Sequence, residues 1–264
     1  MKWILLLTLL ATSIVGVTAQ TKTKGIQLED LTWVEAEKVL TDKTIVVIPL
    51  GAAAKEHGPH LKLKNDWLIA EYLKQRVLEQ ANVVVAPTIN YHFYPSFVEY
   101  PGSTTLQLET ARDLIVDVCI SLAKFGPRRF YVLNTGISTL RALQPAAESL
   151  AREGLILRYT DLQEILGPVE KAIAQQEGGT HADEIETSMM LFIAPKTVNM
   201  KKAAKDYHPS SERGLTRNPK GKGSYSPTGI YGDATLATRA KGAQVIKALV
   251  AGILKDIESL HSEP

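Results

Sequence analysis

The stretch Thr44-Ile-Val-Val-Ile-Pro-Leu50 is a short run of apolar, mostly β-branched residues that ends at Gly51. Such a run is typical of a strand buried on both faces of a parallel sheet. Residues 51–66 follow it with two histidines and several ionisable side chains. The apolar spacing of residues 67–80 then predicts a helix, capped by Asn65 or Asp66. The sequence therefore predicts a strand, an ionisable loop and a helix in direct succession.

Strands and helices are predicted to alternate along the rest of the chain. Further strands are predicted at 83–87, 129–133 and 155–159, and helices at 106–125, 139–152, from near Asp161, at 184–192 and at 234–260. This alternation indicates an α/β domain whose mostly parallel sheet is covered on both faces. Sites in such folds gather at the carboxyl ends of the strands, so we expect residues 51–66 and 134–139 to meet there.

The first residues of the chain resemble a secretory signal peptide. Met1-Lys2 is positive, residues 3–17 are almost entirely apolar, and Val17-Thr18-Ala19 offers small residues for cleavage after Ala19. An uncleaved anchor is the alternative, and either one exports residues 20–264, which we expect to form a single domain. No later stretch is long and apolar enough for a membrane span. The predicted location is therefore secreted or periplasmic.

Composition narrows the class of partner. The 264 residues carry a formal net charge of +2, so nothing indicates binding to nucleic acid.

The single cysteine, Cys119, lies in an apolar helical stretch and is predicted to be a buried structural thiol. Residues 201–227 are rich in Lys, Gly and Pro, which predicts a long surface excursion near a site or a subunit contact, with a plain mobile loop as the alternative.

The histidine-containing loop is the strongest candidate for chemistry. It reads Glu56-His57-Gly58-Pro59-His60, with Asp66 beyond it. Mixed nitrogen and oxygen ligands suit zinc, manganese or iron(II), and a metal here would activate water for attack on a carbonyl carbon. The alternative is a loop whose histidines only bind backbone carbonyl groups.

This loop resembles a motif of the creatininase-like amidohydrolases. Their pattern, Pro-x-Gly followed by Glu-Gln-His-Gly-Pro-His-Leu-Pro and then an Asp nine residues past the first His, is similar to residues 49–61 with Asp66. Three more segments resemble the family in the same order: Tyr100-Pro-Gly-Ser-Thr-Thr-Leu106, His181-Ala-Asp-Glu-Ile-Glu-Thr-Ser188, and Gly229-Ile-Tyr-Gly-Asp-Ala-Thr-Leu-Ala237. The chain is identified as a divergent member of this family.

The resemblance implies a three-layer α/β/α sandwich, often assembled as a homohexamer, that hydrolyses a non-peptide amide C–N bond, frequently in a ring, at a divalent metal site. Transferred by position, His57 and Asp66 are metal ligands and Glu186 is an acidic group at or beside the metal. His181 is a proton-transfer group or substrate contact, unless it merely caps a helix. His60 would either face the substrate or support the metal ligands from behind them. His92, His208 and His261 fall outside the motifs and are expected to be surface histidines.

The resemblance implies a metal site that is frequently binuclear, but two departures from the family motifs reduce the number of ions expected here. Lys55 stands where the family has a ligand glutamate, and Glu56 lies directly beside His57. A one-residue bulge could bring Glu56 into the ligand position while Lys55 turns aside or contacts an anionic substrate; otherwise the first metal loses a ligand. Gly136 stands where the family has a ligand histidine. We therefore expect at most one ion, held by Glu56, His57 and Asp66 with help from Glu186 or His181.

Three functions compete at this stage. The leading hypothesis is an exported metal-dependent amidohydrolase for a small molecule, in which Ser138 and Thr139 bind a substrate oxygen. The second is an inactive relative that keeps the fold and binds a small molecule, which Gly136 favours. A hydrolase with Ser138 as nucleophile lacks a nucleophile-elbow sequence.

Overall fold

A five-stranded parallel sheet forms the centre of the protein. The computed structural model describes residues 23–212 and 214–263, so the predicted signal peptide lies outside the described residues. The strands are β1 (Ile26–Gln27), β2 (Ile45–Leu50), β3 (Val84–Val85), β4 (Arg129–Asn134) and β5 (Ile156–Tyr159). They lie in the order β1-β3-β2-β4-β5, and every neighbouring pair is parallel. β2 is therefore central, as its uninterrupted apolar sequence predicts.

Helices cover both faces of the sheet. They are α1 (Trp33–Val39), α2 (Asn65–Gln80), α3 (Leu108–Ala123), α4 (Leu140–Arg152), α5 (Leu162–Ile173), α6 (Glu184–Ile193) and α7 (Arg239–His261). Successive strand residues point to opposite faces. Val47 accordingly packs in the core formed with α2, α6 and α7, whereas Val46 packs in the core formed with α3 and α4. The predicted three-layer α/β/α sandwich is confirmed.

Several element boundaries differ from the sequence prediction. α2 begins at Asn65, so Asp66 lies in its first turn and neither residue is the cap. Residues 234–260 are not one helix, because a 3-10 turn at Ala234–Leu236 precedes α7, whose cap is Thr238. The short β1 and α1 were not predicted, since neither carries a long periodic pattern.

Residues 201–227 form the predicted excursion. Two small strand pairs organise it: β6 (Lys205–Asp206) with β9 (Gly232–Asp233), antiparallel, and β7 (Leu215–Thr216) with β8 (Ser224–Tyr225), parallel. Among the residues described, no helix combines the length and apolar character needed to cross a membrane.

Two residues outside the site test the sequence prediction directly. Cys119 is buried as predicted, and burial raises the pKa of its thiol to about 12, which makes it inert. His92 was predicted to lie on the surface, and that was wrong. Its side chain is fully buried beside Tyr94, with ring centroids 6.5 Å apart, and burial lowers its pKa to about 4.

Candidate active site

The loop that follows β2 is held tightly against the start of α2. A Cβ atom on Gly51 would lie 2.5 Å from the backbone oxygen of Asp66, so only glycine lets the loop pass this close. The Thr135 hydroxyl, just after β4, donates to the Leu50 carbonyl at 3.0 Å. The carboxyl ends of β2 and β4 thus meet at one edge, as the sequence predicts, and Asp66 faces His57 across the loop.

His57 is held between two carboxylates. Its Nδ1 donates to the Lys55 carbonyl at 2.9 Å, and its Nε2 lies 2.7 Å from Asp66 Oδ1 and 3.3 Å from Glu186 Oε1. Burial lowers the pKa of His57, but the charges of Asp66 and Glu186 outweigh burial and the opposing charge of Lys55, and the pKa rises to about 9. A proton on Nε2 therefore joins the two carboxylates when no metal is bound.

The start of α6 places Glu186 beside His57. Asp183 caps the helix by accepting hydrogen bonds from the N–H groups of Ile185 and Glu186. The preceding residue, Ala182, has a φ of 48°, a left-handed conformation that costs energy for a residue with a side chain. Its N–H donates to Glu186 Oε2 at 2.6 Å. This strained turn directs both His181 and Glu186 toward His57.

Charge compensation keeps both carboxylates ionised despite burial. Burial raises the pKa of Glu186, but the charges of His57, His181 and Lys55 outweigh it and hold the pKa well below its usual range. Burial likewise raises the pKa of Asp66, and the charges of Lys55 and His57 outweigh it, so that this pKa is also lowered. The site is a compact set of paired charges removed from water.

Glu56 binds His181 and not His57. Its Oε1 accepts from His181 Nε2 at 2.8 Å, and its Oε2 accepts from the Gly58 N–H at 2.8 Å. In this arrangement the Glu56 carboxylate orients His181, and its role as a metal ligand stays a prediction. A Cβ atom at Gly229 would overlap the Glu56 carboxylate, so only glycine fits beside it.

The structure separates the three predicted substrate-binding residues. The Ser138 side chain lines the cavity and its hydroxyl donates to the Phe93 carbonyl at 3.1 Å. Thr139 is fully buried, and its hydroxyl lies 2.6 Å from both Asn134 Oδ1 and the Gly136 carbonyl, so it holds the loop after β4. The buried His60 pairs through Nε2 with the Thr187 hydroxyl at 2.8 Å. Of the three, only Ser138 reaches the cavity.

A cavity of about 770 Å³ opens over these groups. Lys55, Gly136 and Ser138 line it from the strand ends, and His181 and Glu186 line it from the start of α6. Residues of the excursion, among them Leu215 and Ser224, form another part of its wall, so the excursion lies near the site as expected. This volume suits a small-molecule ligand.

The donor set fits one divalent ion. Three residues, His57, His181 and Glu186, each offer one ligand atom, and these three atoms lie within 4.8 Å of one another. Asp66 Oδ1 lies next to His57 Nε2. Imidazole nitrogens with carboxylate oxygens suit zinc, manganese or iron(II). Gly136, which lines the same cavity, offers no side chain to a second ion.

Three residues of the site carried no recognised sequence signal. Asn65 donates from Nδ2 to Glu186 Oε1 at 3.0 Å and so positions that carboxylate. Phe97 packs against His181, with ring centroids 4.3 Å apart, and Tyr94 lies near Lys55. The position of Asn65 beside Asp66 is a usable signal, but the aromatic residues lie in a loop without periodicity.

Fold and site together define a layered α/β protein with a candidate metal centre at the carboxyl ends of its strands. The family model for creatininase, creatinine amidohydrolase, matches residues 29–257, and the chain belongs to this family. It is 26% identical to the creatinine amidohydrolase of Pseudomonas putida over 252 residues, covering 87% of this chain and 95% of that protein.

Two further relatives extend the comparison. The chain is 28% identical to the mycofactocin precursor peptide peptidase of Mycolicibacterium smegmatis over 215 residues, which cover 79% of this chain and 82% of the relative. A solved mutant creatininase of Zn-Zn type superposes with a TM-score of 0.74 at 22% identity, covering 89% of this chain and 98% of the other. The relatives are hydrolases, which supports a hydrolase here.

Proposed function

We propose that this chain is an exported, metal-dependent amidohydrolase that cleaves a non-peptide amide C–N bond in a small, cyclic molecule. The observation that carries the proposal is the convergence of His57, His181 and Glu186, whose ligand atoms lie within 4.8 Å of one another beside the cavity. Membership of a family of hydrolases supports the reaction class. Zinc, manganese or iron(II) fits the donors.

His57, Asp66 and Glu186 are the residues that would hold one ion. When bound, such an ion supplies Lewis-acid activation of water for attack at a carbonyl carbon. Binding requires that His57 Nε2 lose the proton that it shares with the two carboxylates. Asn65 and the Ala182 N–H keep the Glu186 carboxylate in place through the hydrogen bonds described above.

His181 is the residue that would move a proton. Its Nε2 faces two acceptors, Glu56 Oε1 at 2.8 Å and the Glu56 carbonyl at 3.0 Å, so this nitrogen carries the hydrogen. Nδ1 is then the atom free to gain and lose a proton, and it lies 3.6 Å from Glu186 Oε2. Protonation of the leaving nitrogen by His181 accords with this arrangement.

Metal content tests the proposal directly. Protein purified without chelators is expected to hold one equivalent of a divalent ion, and His57→Ala is expected to lose it. His208→Ala is the matched control, because His208 is largely exposed. Less than a stoichiometric ion in the wild type, or unchanged content in His57→Ala, would overturn the metalloenzyme. A panel of cyclic amides and short peptides then tests the substrate class, which fails if peptides are cleaved in preference.

A second candidate function is binding without catalysis. The observation that favours it is the ion pair between Lys55 Nζ and Asp66 Oδ2 at 2.6 Å, which engages a carboxylate that a catalytic metal needs. This candidate predicts metal-free protein that still binds a small molecule in the cavity. Thermal-shift screening of cyclic amides against metal-free protein separates it from the first proposal.

Export and assembly complete the proposal. The sequence of residues 1–19 supports a secreted or periplasmic location, and the family resemblance supports a homo-oligomer, with a hexamer as the expected size. Light scattering after gel filtration tests the assembly against the mass of the single chain, which is 28.9 kDa before the leader is removed. A monomer at micromolar concentration would overturn it.

A further inference from the structure

Lys55 is a buried lysine at the centre of the candidate site. It is 5% exposed, and its ammonium lies 2.6 Å from Asp66 Oδ2. The ammonium also lies 4.7 Å from the centre of the Phe97 ring and 5.8 Å from that of Tyr94. Lysine is almost never buried without a partner, because removing its charge from water is costly. The site is therefore built around this cation.

The two oxygens of Asp66 face two different cations. Oδ1 lies 2.7 Å from His57 Nε2, at the point where the donors for an ion converge, and Oδ2 binds the Lys55 ammonium. A carboxylate that bridges two metal ions uses its two oxygens in this way. Here one of the two positions is filled by an ammonium that is covalently part of the chain.

The residues around the position beside Asp66 Oδ2 suit an ammonium better than a second metal ion. Position 55 carries a positive side chain where the family motif has a ligand glutamate, and position 136 carries no side chain where the motif has a ligand histidine. The aromatic faces of Phe97 and Tyr94 stabilise an ammonium through cation–π contact, and Phe97, the nearer of the two, offers no ligand atom to a metal.

We propose that the ammonium of Lys55 replaces one metal ion at Asp66, so that the site pairs a fixed cation with at most one exchangeable metal ion. Only the exchangeable ion, beside Asp66 Oδ1, rests on the proposed function. The fixed charge also lines the cavity, where it offers N–H donors to a negatively charged group of a ligand.

The test compares metal stoichiometry with and without the fixed cation. The double variant Lys55→Glu, Gly136→His restores both ligand types of the family motif. A Cβ at position 136 would lie 3.2 Å from Thr139 Cγ2, so Thr139 must move by a few tenths of an ångström to accept the new side chain. After dialysis against Mn²⁺ or Zn²⁺, the double variant is expected to hold one equivalent more than the wild type. No gain in a variant that circular dichroism shows to be folded would overturn the proposal.

Lys55→Met keeps the proposal testable if the double variant does not fold. It removes the charge while keeping an unbranched side chain, so titration with Mn²⁺ is expected to give a Kd at least about tenfold lower than the wild type, because cation–cation repulsion is lost. The control is Lys74→Met, because Lys74 is a second buried lysine, on α2, and pairs with Glu29 and Glu71. An unchanged or weaker Mn²⁺ affinity in Lys55→Met would overturn the proposal.

These outcomes separate the two proposals. Two equivalents in the wild type would overturn the role of Lys55 and leave the metal-dependent hydrolase standing. No metal in the wild type, with one equivalent gained in the double variant, would support the role of Lys55 and overturn the metal-dependent hydrolase.

Discussion

Glu56 Oε1 lies 2.8 Å from His181 Nε2, although the two residues are separated by 125 positions in the chain. This contact joins the loop after β2 to the turn before α6, the two segments that carry the family motifs. It also fixes which nitrogen of His181 bears hydrogen. Carboxylates in this position orient a histidine and raise the basicity of its other nitrogen.

Replacing Glu56 with Gln tests this orienting role. The amide can still accept a hydrogen bond, but it loses the charge that strengthens the contact. Because His181 is the proposed proton-moving group, we expect Glu56→Gln to lower the hydrolysis rate of a cyclic amide that the wild type cleaves by about 10-fold to 100-fold, with the Mn²⁺ affinity little changed. Titration calorimetry measures the affinity beside the rate. The control is Glu79→Gln on the surface of α2, which should leave both as they are. Loss of the ion from Glu56→Gln altogether would make Glu56 a direct ligand instead.

The metal-free protein should lose stability as pH rises from 6.5 to 9. The folded pKa of His57, about 9, lies above its ordinary value of 6.5, so the protonated form is favoured in the folded state. This contribution is fully present below pH 6.5 and is lost as pH rises through 9. Its size is on the order of 3 kcal/mol, because each pKa unit corresponds to about 1.4 kcal/mol.

Thermal unfolding of chelator-treated protein measures this effect. We expect the midpoint to fall by several degrees between pH 6.5 and pH 9. His57→Gln, which cannot titrate, should show a much smaller fall over the same range. Equal pH dependence in the two proteins would contradict the charged state of His57 in the folded protein.

Much of the fold follows from local sequence pattern. The apolar run 44–50 becomes β2, and the apolar spacing of 67–80 and 139–152 gives α2 and α4 within two residues of the predicted ends. β1 and α1 were not predicted. β1 has only two residues, and α1 begins with the exposed Trp33, so neither element has a clear apolar periodicity. Burial of His92 was missed because tertiary packing, not local pattern, encloses it.

The sequence predicts which residues form the site, but it does not predict which of these side chains contact each other. The motifs identified His57, Asp66, His181 and Glu186, which the structure brings together. They could not assign Glu56 to His181, since that contact depends on the left-handed turn at Ala182. The motifs also could not predict that the Thr139 hydroxyl forms its hydrogen bonds within its own loop. Pair contacts between distant segments depend on packing geometry that the sequence pattern does not contain.

The predicted leader can be tested without any activity assay. Expression of the full chain in a bacterium with a periplasm should give a mature protein that begins at Gln20, because Val17 and Ala19 are the small residues that signal peptidase recognises. Mass spectrometry of the intact protein reads this directly. Ala19→Leu should block or shift the cleavage. A protein that keeps Met1 and stays in the cytoplasm would contradict export.

Gly242 is expected to be required for the packing that holds α6 in place. A Cβ at this position would meet the backbone carbonyl of Ser188, because α7 crosses α6 there without room for a side chain. Alanine gains up to about 1 kcal/mol in helix propensity over glycine. Overpacking costs about 1–3 kcal/mol and more where the obstacle is backbone, so the clash should outweigh the gain.

We therefore expect Gly242→Ala to lower the free energy of unfolding by about 2 kcal/mol or more in urea denaturation. Gln244→Ala, at an exposed position of the same helix, should change it by less than about 0.5 kcal/mol. Since α6 carries Glu186 in its first turn, a displaced α6 should also weaken Mn²⁺ binding by Gly242→Ala. Unaltered stability and metal affinity would mean that α7 can move away from α6 at no cost, and that the position of Glu186 depends on the turn at Ala182 alone.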